Sequence, residues 1–211
     1  MKTLFTLLIL VFLSACSSTY YNAMENLGVH KRDIMVDRVE KARDAQQDGQ
    51  KQFESALAQF KSVVAVKPSE LERTYDKLNG EYQKSIKSAE EISERIDSIE
   101  NVADALFDEW HDELKRYTST SLRRDSEQKL KATKQKYQQM IKLMKASEKR
   151  IDPVLRAMED QVLYLKHNLN TRAIDSLRQE VISIDNDVDR LIAALQESIA
   201  EANSFIKTMK D

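Results

Sequence analysis

Apolar residues recur along most of the chain in alternating steps of three and four, the spacing that lines them up on one stripe of a helix. A first seam runs Met35, Val39, Ala42, Gln46, Gly49, Phe53, Ala56, Phe60, Val63. Lys67-Pro68 ends it, because proline disfavours helical geometry in the residue before it. Ser69 and Glu72 then have the spacing of a capping box that restarts the chain. The second seam is Leu71, Tyr75, Leu78, Tyr82, Ala89, Ile92, Ile96, Ile99, Ala103, Leu106, Trp110 and Tyr117. It runs up to Thr118-Ser119-Thr120-Ser121, a turn whose hydroxyls offer N-caps. A third takes in Leu122, Leu130, Tyr137, Met140, Met144, Ile151, Leu155, Met158, Val162, Leu165 and Leu169. Asp152-Pro153 interrupts it, either as a kink or as the start of a new helix. A kink suits the spacing better, since the apolar pattern barely loses phase. The last seam is Ile174, Leu177, Val181, Ile184, Val188, Leu191, Leu195, Ile199, Ala202, Ile206, Met209.

The pattern predicts helices over 24–66, 69–117, 121–168 and 171–209, each ~60–75 Å long at ~1.5 Å per residue. Similar lengths joined by short turns imply antiparallel neighbours. The expected fold is all-α: an elongated antiparallel coiled-coil four-helix bundle forming one domain over 24–211. If 168–171 is continuous helix, three long helices replace four. Composition agrees. The chain holds only 3 Gly and 2 Pro in 211 residues, against about 12% for the two together in an average protein. So few turn residues exclude a many-stranded sandwich or barrel. Gly49 falls on the first seam between Ala42 and Ala56, where small residues let a neighbouring helix approach closely.

Net charge is −2, which gives no global attraction to nucleic acid, and no nucleic-acid partner is expected. The distribution is more informative. Residues 90–113 carry ten carboxylates against Arg95 alone, net −9, and residues 115–150 carry twelve cations against Asp125, Glu127 and Glu148, net +9. An antiparallel hairpin turning at 118–120 would lay the two blocks side by side, with flanking positions pairing across it. An external anionic partner for the basic block is the alternative.

The N-terminus carries an address. Lys2 precedes a ten-residue largely apolar run, Leu4 to Leu13, spanning ~15 Å as helix, half of a ~30 Å hydrocarbon core. A signal-peptide core is favoured over a spanning helix, with 1–15 removed and 16–23 left as a short tether. Leu13-Ser14-Ala15-Cys16 looks like the lipobox of bacterial lipoproteins. The resemblance implies that Cys16 is acylated and becomes the first residue, and two or more acyl chains anchor stably. It also brings in a sorting rule, by which Ser17 permits export to the periplasmic face of the outer membrane. Cys16 is the chain's single cysteine, so no internal disulfide can form.

Reactive constellations are scarce. His30, His111 and His167 lack the Glu-x-x-His spacing of a di-iron bundle. Asp104, Asp108, His111 and Asp112 read as a solvated acidic face before a loose divalent site. Asp185, Asp187 and Asp189 imitate a calcium loop, but Arg190 stands where the sharp-turn glycine belongs. No cofactor or metal is expected, and no catalytic residue. Two polar clusters remain as candidate interaction residues: Gly28, His30, Lys31 and Arg32 just after the tether, and His167, Asn168 and Asn170 on an otherwise apolar stripe. The first reads before that as the frayed first turn of helix one, and the second as polar residues that set register or build a turn.

The stretches Gly28-Val29-His30-Lys31-Arg32-Asp33-Ile34 and Leu163-Tyr164-Leu165-Lys166-His167-Asn168-Leu169-Asn170, with the lipobox and the heptad-rich chain, resemble an uncharacterised family of bacterial lipoproteins, domain of unknown function 2959. The resemblance brings no activity, substrate or site residue. The expected role is a non-catalytic, outer-membrane-anchored scaffold or accessory subunit with envelope protein partners, self-association being compatible with it. The alternative is a binding module for an anionic envelope ligand, a lipid head group or a peptidoglycan fragment.

Overall fold

The structure, a computed structural model, describes residues 20–210 apart from 22, 64–65 and 169–170. Among these, five helices account for the fold: α1 (Lys31–Ser62), α2 (Leu71–Leu114), α3 (Thr120–Glu148), α4 (Ile151–His167) and α5 (Thr171–Lys210). α3 and α4 make one jointed rod, so the architecture is an all-α bundle of four rods. α1 and α2 run antiparallel, joined by Lys31–Glu109 at one end and by Gln52–Glu81 towards the other. α1 and α5 are antiparallel as well, through Glu40–Lys210 and Lys61–Asp185. The jointed rod packs on α2 and α5, which closes an up-down-up-down square. α2 alone is ~66 Å long at ~1.5 Å per residue.

Every residue of the first seam is buried, Met35 through Val63. Gly49 earns its place there: a Cβ on it would stand 2.7 Å from Ile92 Cδ1, so α1 and α2 touch closely at that level. The other seams are buried or half-buried along their described length, with two exceptions. Tyr117 and Leu122, at the turn between α2 and α3, are 42% and 60% exposed.

The joints differ from expectation in detail. α1 begins at Lys31 rather than near 24; residues 23–26 are helical, and Gly28 at φ +81° reverses the chain, a backbone region open to glycine at no steric cost. The capping box at Ser69 and Glu72 is not formed. Pro68–Glu70 is instead a 3-10 turn, and the residue before α2, Glu70, makes no side-chain cap bond. Ser119 does cap α3, accepting from the Leu122 amide. The interruption near Pro153 falls at Lys149 and Arg150, which keep right-handed helical dihedrals. Lys149 is four residues before Pro153, where the proline ring meets the carbonyl and the amide bond is missing, so the rod bends without turning back. α4 ends at His167, and Asn168 leaves helical space at φ −131°, ψ 63°. Four rods therefore stand in place of three.

Two buried glutamines are treated differently by their surroundings. Gln46, fully buried on α1, donates to Ser147 Oγ (3.1 Å) and accepts from Ser198 Oγ (2.9 Å), tying α1 to α3 and α5 in one layer. Ser147 in turn donates to the Met144 carbonyl. Gln161 on α4 is 2% exposed, yet among the described residues neither its amide nitrogen nor its oxygen has a partner. The same substitution should act in opposite directions at these sites. Gln46→Leu strands Ser198 and should destabilise by ~1–3 kcal/mol, whereas Gln161→Leu removes an unpaired amide and should stabilise by ~1–2 kcal/mol. Urea denaturation followed by circular dichroism reads both, and loss of stability in Gln161→Leu would contradict the assignment.

Candidate functional site

The end of the bundle where α1 starts holds the polar cluster after the tether. Because Gly28 reverses the chain, residues 20, 21 and 23–26 fold back against the bundle, with Tyr21 buried at 2% exposure. Arg38 Nη1 donates to the Tyr21 hydroxyl at 2.8 Å and to the Ser98 carbonyl at 2.5 Å. Its guanidinium also lies 5.4 Å from the tyrosine ring centre, within cation–π range. The N-terminal segment is thus clamped to α1 and α2 together.

Lys31, 5% exposed, bonds Glu25 (2.7 Å) and Glu109 (2.9 Å). Burial works against its charge, but the two carboxylates outweigh it and Lys31 titrates above the ordinary lysine range. The two acids divide. The bond from Lys31 holds Glu25 below the usual carboxylate range. Burial, with Glu25 nearby, pushes Glu109 up. Three groups therefore share one net negative charge at the start of α1.

Beside this triad a cleft of about 810 Å³ opens between α2 and the first half of α3, floored by the ends of α1 and α5. His30, Lys31, Arg32, Trp110, Lys129 and Lys136 line it, together with Glu25, Glu109 and Glu113. Arg32 donates to the Met209 carbonyl, and Trp110 Nε1 donates to Ser126 Oγ at 2.8 Å. The cleft exists because the acidic and basic blocks do not zip together as expected. Among the described residues the ion pair joining α2 to α3 is Lys145–Glu100, at 2.5 Å. Lys129 and Lys115 pair within the hairpin's own arms, with Asp125 and Asp112. Exposed pairs are each worth only ~0–1 kcal/mol, so apolar contacts decide where α3 lies. Its first half supplies few: Leu122 is exposed and Leu130 half-buried, and firm burial begins at Met140.

Of the residues expected to form interaction sites, Gly28, His30, Lys31 and Arg32 lie together at this end. His167 is exposed at the end of α4, and Asn168 donates to the Tyr164 carbonyl. That second cluster belongs to the opposite end, separated from the first by roughly the ~48 Å length of α1. Cys16 and Asn170 lie outside the described residues. Sequence reading missed Tyr21, Glu25, Arg38 and Glu109, and took Trp110 for core although it lines the cleft. Poverty of apolar residues across 122–136 was the available signal for Trp110. Nothing in the spacing could pair Lys31 with Glu109. Among the described residues no group of three or more His, Cys, Asp or Glu is placed to hold a metal ion.

Lys31→Met tests the triad. Glu25, held low, contributes stability above the usual carboxylate pKa of ~4.3, which is lost as pH falls through its lowered value. Without Lys31 that contribution vanishes, and two ionised carboxylates face each other. The variant should be less stable by roughly 1–2 kcal/mol at pH 7, allowing for the partial exposure of both acids. The deficit should shrink once pH drops below ~4 and both acids protonate. Chemical denaturation at the two pH values measures it, and an equal deficit at both would refute the electrostatic account.

Comparison with the curated proteins and with the solved structures finds no match. Over residues 20–209 the chain matches the model of a family described as protein of unknown function (DUF2959), a span that runs from the Tyr21 clamp through α1 to α4 and all but the last residue of α5, and the chain belongs to that family.

Proposed function

We propose that the protein is a non-catalytic lipoprotein of the cell envelope, anchored through acylated Cys16 to the periplasmic face of the outer membrane. There its bundle serves as a scaffold or accessory subunit for envelope proteins. The observation that carries this reading is the clamp on Tyr21. Tyr21, held by Arg38, lies five residues after Cys16, so an acyl anchor at that position would hold a ~66 Å rod at the bilayer with little freedom to drift. Two acyl chains suffice for stable attachment. Among the described residues no helix is long and apolar enough to cross a membrane, and in this reading the acylated cysteine supplies the attachment.

One observation favours the second reading, a module for an anionic envelope ligand such as a lipid head group or peptidoglycan fragment. His30, Lys31 and Arg32 line the same cleft as Lys129 and Lys136. Weighing against it, Glu25, Glu109 and Glu113 line that cleft too, Lys31 is neutralised by two of them, and Arg32 is engaged with a backbone carbonyl. The scaffold reading therefore stands first.

Metabolic palmitate should label the wild-type protein and not Cys16→Ala, and gradient fractionation should place the labelled protein with the outer membrane. Persistent label in the variant would defeat the anchor. In-cell crosslinking followed by mass spectrometry should recover defined envelope proteins. Recovery of none, with lipid or glycan retained by the purified protein, would transfer support to the ligand-binding reading.

A further inference from the structure

The turn between α2 and α3 is built unlike the rest of the surface. Tyr117 and Leu122 continue the apolar seams in sequence yet face solvent, 42% and 60% exposed. Residues 114–124 carry Lys115, Arg116, Arg123 and Arg124 and no carboxylate. Arg116, Arg123 and Arg124 make no ion pair among the described residues. Tyr20 and Leu27, on the N-terminal segment at this same end, are 47% and 78% exposed. Aromatic and leucine side chains flanked by arginine are the composition of segments that sit at a membrane interface, the rings at headgroup level and the cations on anionic lipid.

Reach decides whether this tip meets a bilayer. Tyr21 lines a surface depression shared with Ala105, Asp108, Asp112 and Arg116. That depression follows α2 to the tip, ~16 Å from Ala105 to Arg116 at ~1.5 Å per residue. From Tyr21 back to Cys16 five residues extend at most ~17 Å. The anchor can thus reach the plane of the tip. A bilayer holding Cys16 can be met by the tip or by the flanks of α1 and α2, to which the tether is clamped. The α2 flank exposes Glu90, Glu91, Glu94, Asp97, Asp104 and Asp108, which an anionic surface repels. At the tip Lys115, Arg116, Arg123 and Arg124 offset the exposed Asp112, Glu113, Asp125 and Glu127, of which Asp112 and Asp125 are already paired with Lys115 and Lys129.

We propose that the α2–α3 turn docks on the anionic phospholipid surface in which Cys16 is anchored. Tyr117 and Leu122 enter the interface, and Arg116, Arg123 and Arg124 meet lipid phosphates. The bundle then stands on two points, the acylated cysteine and the turn, which fixes its tilt. This orientation rests on the anchor reading above, whereas the turn's affinity for anionic lipid does not.

Two measurements separate those claims. The mature chain 16–211 with Cys16→Ser retains every described residue and lacks the acyl chains. It should float with vesicles containing about one-third phosphatidylglycerol and not with pure phosphatidylcholine. Arg123→Gln with Arg124→Gln should weaken that partition about thirtyfold, each cation near the surface being worth about a factor of five. Equal partition of the double variant, or no preference for anionic vesicles, overturns the proposal whatever the state of Cys16. In the lipidated protein, whose own cysteine is blocked, Leu122→Cys and Ile182→Cys each accept a single environment-sensitive fluorophore. Ile182 is 64% exposed on α5. With intact mass confirming acylation, the probe at 122 should shift to the blue and be quenched by shallow spin-labelled lipid, and the probe at 182 should stay in water. A probe at 122 as wet as that at 182 refutes the orientation. So does a blue shift that appears without vesicles and grows with protein concentration, since the turn would then be meeting a second copy. An unacylated Cys16 together with anionic flotation would instead overturn the anchor reading and leave the affinity of the turn standing.

Discussion

Apolar seams repeat every seven residues, so helices matched only by such seams can slide by a heptad and bury almost the same area. Gln46 removes that freedom. Its amide is fully enclosed and can be satisfied only where Ser147 and Ser198 arrive at the same level. Displacing any of the three rods involved leaves buried polar atoms unpaired, at ~1–3 kcal/mol each. Gly49, three residues on, adds a steric condition, because α2 must place Ile92 against the one residue of that seam without a Cβ. Together the two positions set the heights of all four rods, and the heights determine which side chains meet at the ends.

Those heights leave the two ends unlike. At the start of α1 the rods do not finish level, and α2 and α3 run past the ends of α1 and α5. The overhang places Glu109 opposite Lys31, opens the cleft beside Trp110, and carries Tyr117 and Leu122 out of the core. The Tyr21–Arg38 clamp then fastens the N-terminal segment to this same end. Buried lysine, clamped tyrosine, cleft and cationic turn are thus consequences of one offset between rods. His167 and Asn168 sit at the other end and share none of these contacts.

Much of the fold was legible because helix seams are local in origin. The spacing of Met35 to Val63 identified a buried stripe without reference to any partner, and every member is buried. Pro68 and Ser119 marked joints through backbone geometry that they impose on their own neighbours. The errors came where the outcome depended on competition. Ser69 and Glu72 had capping spacing, but the chain tightened into a 3-10 turn over Pro68–Glu70 instead. The blocks of net charge −9 and +9 looked like a zipper, yet solvated ion pairs are too weak to draw two helices together when one of them lacks an apolar face. Of the site, the cluster Gly28, His30, Lys31 and Arg32 was visible as polarity out of pattern. Its partners Glu25 and Glu109 were two carboxylates among thirty-five acidic residues.

The sequence by itself determined the helices, their buried stripes, their approximate joints and the family to which the chain belongs, because each of these is written in periodicity or in short runs of residues. Only the tertiary structure decided the register between rods, and with it the length of the overhang and the residues exposed there. Periodicity states which face of a helix is buried and is silent about how far one helix stands along another. That distance was decided by a few non-repeating residues, Gln46 with its two serines and Gly49 against Ile92, whose partners lie tens of residues away in the chain.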